Sequence, residues 1–308
     1  MVPIERKERE REMGKNSTEF KKKYNGIRAR YIAYAALGII LGFTAYVRFI
    51  SAKWTGYGEL PIIFLIVLFA GYLLRHSNDR VYEFLGPFVK DVYSKHFELE
   101  EYQPNSHVPR KSAKASHLFT RDYGFSLFEL SGNNLLVGRY RGVHFSYSYI
   151  KLSKGRYSAA KSAAFCVLEH RGSVNGRIRI EGIHETWYSN RTVSGGFYER
   201  FEVKTDDQDA TARILTSSFK RKIVELDRVL RTDTTGKPWM EICIDVNCAY
   251  IVMWDKKSIL DMNHQSDKEI KAAAQEDAGR LIALLDAFVD HPGFFPGLQS
   301  DTQTSEWT

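Results

Sequence analysis

The chain has 308 residues, 44% hydrophobic and 26% charged, enough for one or two domains of ordinary globular composition. Its net charge is +7, but residues 1–30 carry ten Lys/Arg against five Asp/Glu, so the other 278 residues are close to neutral. Basicity gathered beside an apolar segment suits an anionic membrane surface and argues against a nucleic-acid groove; the three cysteines, Cys166, Cys243 and Cys248, contain no CxxC pair and form no disulfide framework.

Residues 1–30 alternate in sign and lack apolar anchors, so they read as a charged cytosolic arm, either a solvated helix or a disordered segment. Residues 31–75 read as a transmembrane hairpin. The run 31–47 is uncharged, with Tyr31, Tyr34 and Tyr46 near its ends and Arg48 able to reach outward. The second run, 60–74, has Pro61 in its first turn. Thirty largely charged residues before the first run make a poor signal peptide. Lys21, Lys22, Lys23, Arg28, Arg30, Arg75 and Arg80 flank the hairpin on one side. The positive-inside bias therefore places both termini in the cytoplasm, in a multi-pass protein of the inner membrane whose first partner is the lipid bilayer. Ala35, Gly38 and Gly42 are spaced for close helix packing, within the hairpin or in self-association of two copies.

Residues 76–116 read as a stem helix, interrupted or kinked at Pro87, followed by a linker. Residues 117–290 read as a cytosolic α+β domain with an antiparallel sheet and packed helices. Strand patterns fall at 138–152, 165–170, 176–182, 197–205, 239–246 and 250–254, the last two as a hairpin around Asn247 and Cys248. A helix is expected over 209–231, started by Asp206, Asp207 and Asp209, and another over 267–289. A bent sheet closed by the last helix would give a pleckstrin-homology-like topology. Residues 291–308 read as a flexible tail.

Residues 116–119 (SHLF), 132–145 (GNNLLVGRYRGVHF) and 197–219 (FYERFEVKTDDQDATARILTSSF), with the two leading helices, resemble a bacterial membrane-protein family catalogued as domain of unknown function thirty-one thirty-seven. The resemblance implies an inner-membrane anchor with a cytosolic domain and a possible partner among LemA-type membrane-attached helical proteins. It carries over no catalytic residue.

The chemistry-bearing patterns are sparse. There is no HExxH, no P-loop and no GxSxG, and neither a cofactor nor a metal is expected. The basic and aromatic residues interleaved over 139–149 fit a half-buried strand as well as a base-stacking surface. The leading expectation is a membrane-anchored binding or scaffold module. The alternative is a membrane-attached hydrolase or transferase using His170, His184, Glu185, Glu199 and Asp206, which requires these side chains to meet in one pocket. An oligomeric transport component is a third reading, set back by the lack of ionisable residues within either apolar run.

Overall fold

A computed structural model describes residues 3–51, 59–119, 129–153, 161–172, 174–183, 196–230, 240–254, 256–262, 264 and 266–295. The chain divides into two units. One is Met1–Val89 with Asn263–Lys271, and the other is Lys90–Met262 with Ala272–Thr308.

The first unit is built on two long helices, α1 (Pro3–Ser51) and α2 (Glu59–Tyr93). They run antiparallel: Phe20 stacks near Phe84 and Phe88, with ring centroids 5.3 and 5.5 Å apart, and Gly38 lies opposite the Phe69 ring. The charged arm is thus not separate from the first apolar run. Glu, Lys and Arg are strong helix formers, and their alternating signs place opposite charges three and four residues apart, so the helix propagates through both. The arm also has the apolar anchors that its charge pattern hides, since Phe20 and Tyr24 are both buried. Among the described residues one stretch, Thr18–Thr44, is long and apolar enough to cross a membrane, with a mean hydropathy of 1.3 and 12% of it buried. The second apolar run opens α2, and no second candidate span is found among the described residues. Pro87 does not interrupt the stem, because α2 continues through it to Tyr93.

In the second unit, eight strands among the described residues form one antiparallel sheet: β1 (Glu98–Gln103), β2 (Glu129–Tyr140), β3 (Val143–Ser153), β4 (Lys161–Glu169), β5 (Ile178–Gly182), β6 (Phe201–Thr205), β7 (Met240–Ile244) and β8 (Cys248–Trp254). Their order is β1-β2-β3-β4-β8-β7-β5-β6. The order is linear, with β1 and β6 at its edges among the described residues. The single strand expected over 138–152 is a hairpin. Arg141 (φ 51°) and Gly142 (φ 79°) make its two-residue turn, both in the left-handed region that a tight hairpin turn of this twist requires. Cys243 lies in β7, and Cys248, expected in the turn, opens β8.

Both faces of the central strands are covered. On one face Ile150, Leu152, Phe165, Tyr250 and Val252 pack beneath Val108, Ala113, Leu118 and Phe119, and the short helix α3 (Arg110–Ala115) belongs to this cover. The Val108 N–H donates to Ser148 Oγ at 2.9 Å and ties the cover to β3. Across the pleat, Phe145, Tyr147 and Tyr149 point to the opposite face. A helical turn, α4 (Phe197–Arg200), leads into β6. The helix expected over 209–231 is two helices, α5 (Gln208–Ile214) and α6 (Ser217–Leu230), because the chain leaves helical geometry at Leu215 (ψ 53°). Asp207 caps α5 by accepting from the Ala210 N–H at 2.9 Å. The last helix, α7 (Asp267–Val289), has the expected bounds. The segment after it is not loose at its start: His291, Phe294 and Phe295 are buried, and Phe219, Phe288 and Phe294 form an aromatic cluster. Residues 296–308 lie outside the described residues.

Candidate functional site

Of the five residues of the enzymatic alternative, the three that are described, His170, Glu199 and Asp206, do not meet in one pocket. His184 and Glu185 lie outside the described residues. His170 follows β4 and is buried. Its Nε2 lies 2.9 Å from the Asp245 carbonyl, its Nδ1 accepts from the Gly172 N–H, and its ring packs edge-on to Phe294. Burial holds it below the usual histidine range, so it is a neutral structural side chain. Asp206 is exposed after β6, and its N–H donates to the Arg177 carbonyl. It shares a sheet end with His170 but stands four strand spacings away, roughly 19 Å at about 4.8 Å each. Glu199 is exposed at the other end of β6, in α4. No group of three or more His, Cys, Asp or Glu among the described residues could hold a metal ion.

The thiols are equally quiet. Burial pushes Cys166 and Cys243 up to about 12, far from the thiolate form a nucleophile needs.

Three features stand out instead. The first is a buried polar node. Asp277, on α7 and 4% exposed, accepts hydrogen bonds from three tyrosines: Tyr93 at the end of α2, Tyr147 at 3.2 Å and Tyr149 at 2.5 Å from β3. Burial raises its carboxyl above the ordinary range while the three hydroxyls pull against that rise. Nearby Lys256 is buried and donates to the Leu230 carbonyl at the C-terminus of α6, at 2.5 Å. Burial, reinforced by the Arg280 charge, brings it down to about 8. Neither the node nor Lys256 is reachable from the two apolar runs by sequence distance alone. The legible signal was an aspartate inside the apolar stripe of α7, among Ile270, Ala274, Ala278 and Leu281.

The second feature is a groove of about 220 Å³ between α6 and α7, lined by Leu226, Val229, Ala283 and Ala287 and rimmed by Lys222, Glu225 and Asp286. The third is the edge of the sheet at β5 and β6, where charges replace the apolar residues of the centre. Glu181 meets both Arg179 and Lys204, the latter at 2.7 Å, and Lys204 also reaches Glu202 at 3.4 Å. These contacts make the patch a set of ion pairs.

In the helical pair, Ala35 and Gly42 are buried, and a Cβ added at Gly38 would meet the Phe69 ring at 3.5 Å. Gly38 thus faces the Phe69 side chain of the second helix at ordinary contact distance. Lys21, Lys22, Lys23, Arg30 and Arg80 are exposed, Arg28 is half-buried over Tyr24, and Arg75 lies in α2.

No family model matches the chain, and no curated protein matches it. Among solved structures, the crystal structure of the mycobacterial trehalose monomycolate transport factor A, TtfA, aligns over 65% of this chain and 95% of that one, at 15% identity and a TM-score of 0.29. A likeness at that score carries no inference about this chain.

Proposed function

We propose that the protein is a membrane-anchored binding or scaffold module, with the α1–α2 pair in the bilayer as a hairpin and the sheet unit held on the cytosolic side. One observation carries this reading. Around the described half of the hairpin, large apolar side chains face outward: Ile32 and Ile40 are 60% exposed and Phe43 is 64% exposed, with Leu37, Ile39 and Val47 beside them. A contiguous apolar surface of this kind is unfavourable in water and favourable in hydrocarbon. The uncharged run of 31–47 extended to Ile50 spans about 30 Å as a helix, the thickness of a bilayer core. The cations beyond it orient both termini inward, and the resemblance to the membrane-protein family named above supports the same layout. In the sheet unit the α6–α7 groove is concave and largely apolar, the character of a surface that receives a partner's side chain.

Cysteine labelling in intact cells tests the layout. Ser51→Cys, at the outer end of α1, should react with an impermeant maleimide, whereas Asn25→Cys and Asn78→Cys should react only after permeabilisation. Equal labelling of all three without permeabilisation overturns the hairpin.

A further inference from the structure

The helical unit carries an arrangement that its sequence hides. Phe20, Tyr24, Phe84 and Phe88 form a cluster, with Phe84 and Phe88 rings 5.9 Å apart and Phe20 and Tyr24 rings 6.2 Å apart. Three cations from two helices, α1 and α7, lie over it. Lys23 Nζ is 5.3 Å from the Phe84 centroid, the Arg28 guanidinium 4.9 Å from that of Tyr24, and Lys271 Nζ, from the start of α7, 5.8 Å from that of Phe88. A cation over an aromatic face is attracted by the ring quadrupole, so these three charges are held in place rather than waving on long stems.

Their position relative to the apolar run matters. At about 1.5 Å per residue, Arg28 lies roughly 4.5 Å and Lys23 roughly 12 Å before Tyr31, the first residue of that run. A headgroup layer about 5–8 Å thick on each side of the hydrocarbon, extended by a screening length of about 8 Å at physiological salt, covers that depth. The charge is one-sided on α1, where residues 18–31 contain Lys21, Lys22, Lys23, Arg28 and Arg30 against Glu19 alone. On α2 Glu83 pairs with Arg80 at 2.9 Å and Asp79 adds a carboxylate, and the first turns of α7 balance Asp267 and Glu269 against Lys268 and Lys271. The Arg28 guanidinium and Lys23 ammonium, fixed at headgroup depth, fit an anionic phosphodiester; Lys271, over Phe88 some 14 residues or roughly 21 Å past Leu74, adds to the field from the outer rim of that layer.

We propose that Lys23, Arg28 and Lys271, seated on the aromatic cluster, form a collar that binds anionic phospholipid headgroups, so that the first turns of α7 are part of the membrane-contacting surface. This rests on the bilayer reading above and adds to it a lipid preference and a contribution from a segment some 240 residues downstream of Arg28.

The full chain in phosphatidylcholine vesicles, probed by electron paramagnetic resonance with spin-labelled phosphatidylglycerol or phosphatidylcholine, gives the relative association of the two lipids. At low salt phosphatidylglycerol should be preferred by on the order of fivefold or more, and the preference should collapse at about 1 M salt, where the screening length is about 3 Å. The triple variant Lys23→Gln, Arg28→Gln, Lys271→Gln should lose most of it, and Lys271→Gln alone should lower it by a smaller factor. Removing the same charge from α3, by Arg110→Gln, Lys111→Gln and Lys114→Gln, should leave it intact. A chain that stays in the membrane through alkaline carbonate but shows no preference, or a triple variant that keeps it, overturns the collar alone. A chain released by carbonate overturns the bilayer reading and the collar together.

Discussion

Tyr93 and Asp277, 184 positions apart in the chain, share a short hydrogen bond inside the second unit. The bond brings the last residue of α2 to the middle of α7, and Tyr147 and Tyr149 of β3 complete the set of donors. Removing one member leaves buried polar groups without partners, which costs more than the bond itself. Asp277→Ala strands three hydroxyls and should lower stability by about 3–5 kcal/mol, in the range found when one partner of a buried charged network is deleted. Tyr93→Phe and Tyr149→Phe should each cost about 1–3 kcal/mol, and Tyr147→Phe, with its longer contacts, less than either. Thermal unfolding of the full chain in detergent reads the order, and a Tyr147→Phe loss equal to that of Asp277→Ala would show that the carboxylate is not the hub.

Lys256 makes the stability of this region depend on pH in the alkaline range. Burial holds the folded-state value at about 8, below the roughly 10.4 of an unfolded lysine. Between those values the unfolded chain binds the extra proton, so stability rises with pH. Below pH 8 the full penalty of a buried ammonium is present. Lys256→Met, which has no charge to bury, should therefore lack this rise. The wild-type midpoint should gain on that of Lys256→Met between about pH 8 and 10. A constant difference across that window would mean that the amine is solvated in the folded chain.

How much of this was legible in the sequence follows from what each signal measures. The last helix was readable to its bounds because its apolar stripe is long, and the β7–β8 hairpin was readable because short alternating runs flank a polar turn. Strands β1 and β2 were not. The acidic edge strand of Glu98–Gln103 has few apolar residues to alternate, and its backbone is fixed by pairing with β2 rather than by its own pattern. The Arg141–Gly142 turn was hidden because arginine is an uncommon residue for a positive φ. Phe20 and Tyr24 were masked by their charged neighbours, since an anchor of two aromatics one turn apart barely moves a composition average. The separation of His170, Glu199 and Asp206 was hidden for a related reason. Residue type marked them, but the sheet order, with β8 and β7 inserted between β4 and β5, sets the distances, and nothing local reports that order.

The close approach of Gly172 and Gly293 docks the segment after α7. A Cβ at Gly172 would stand 2.3 Å from the Gly293 carbonyl oxygen, too close for any side chain. The Arg171 N–H donates to the Phe294 carbonyl at 3.2 Å beside it, and His170 packs on the Phe294 ring. Gly172→Ala should push residues 291–295 off the sheet unit at a cost of about 1–3 kcal/mol, the range for overpacking a closed interior. Hydrogen exchange at Arg171 and at the amides of Phe294 and Phe295 should speed up while exchange in β3 and β4 stays slow. Unchanged protection at those amides would mean that the segment is held by its aromatic contacts alone.

Arg200 and Asp227 form an ion pair with both side chains buried, at 6% and 0% exposure. It joins the helical turn before β6 to α6. Two effects oppose each other in such a pair. Desolvating both charges is expensive, and their attraction in the interior returns about as much, so the pair as a whole adds little net stability. Breaking it is another matter, because the survivor is a charge in an apolar setting. Asp227→Leu alone and Arg200→Met alone should each destabilise by about 3–5 kcal/mol, whereas the double variant should lie within about 1–2 kcal/mol of the wild type or exceed it. The coupling in this double-mutant cycle is then large and favourable, and it measures the cost of isolation rather than the worth of the contact. Additive losses in the double variant would show that each residue is held chiefly by other neighbours, and the pair would drop out as the link between α4 and α6.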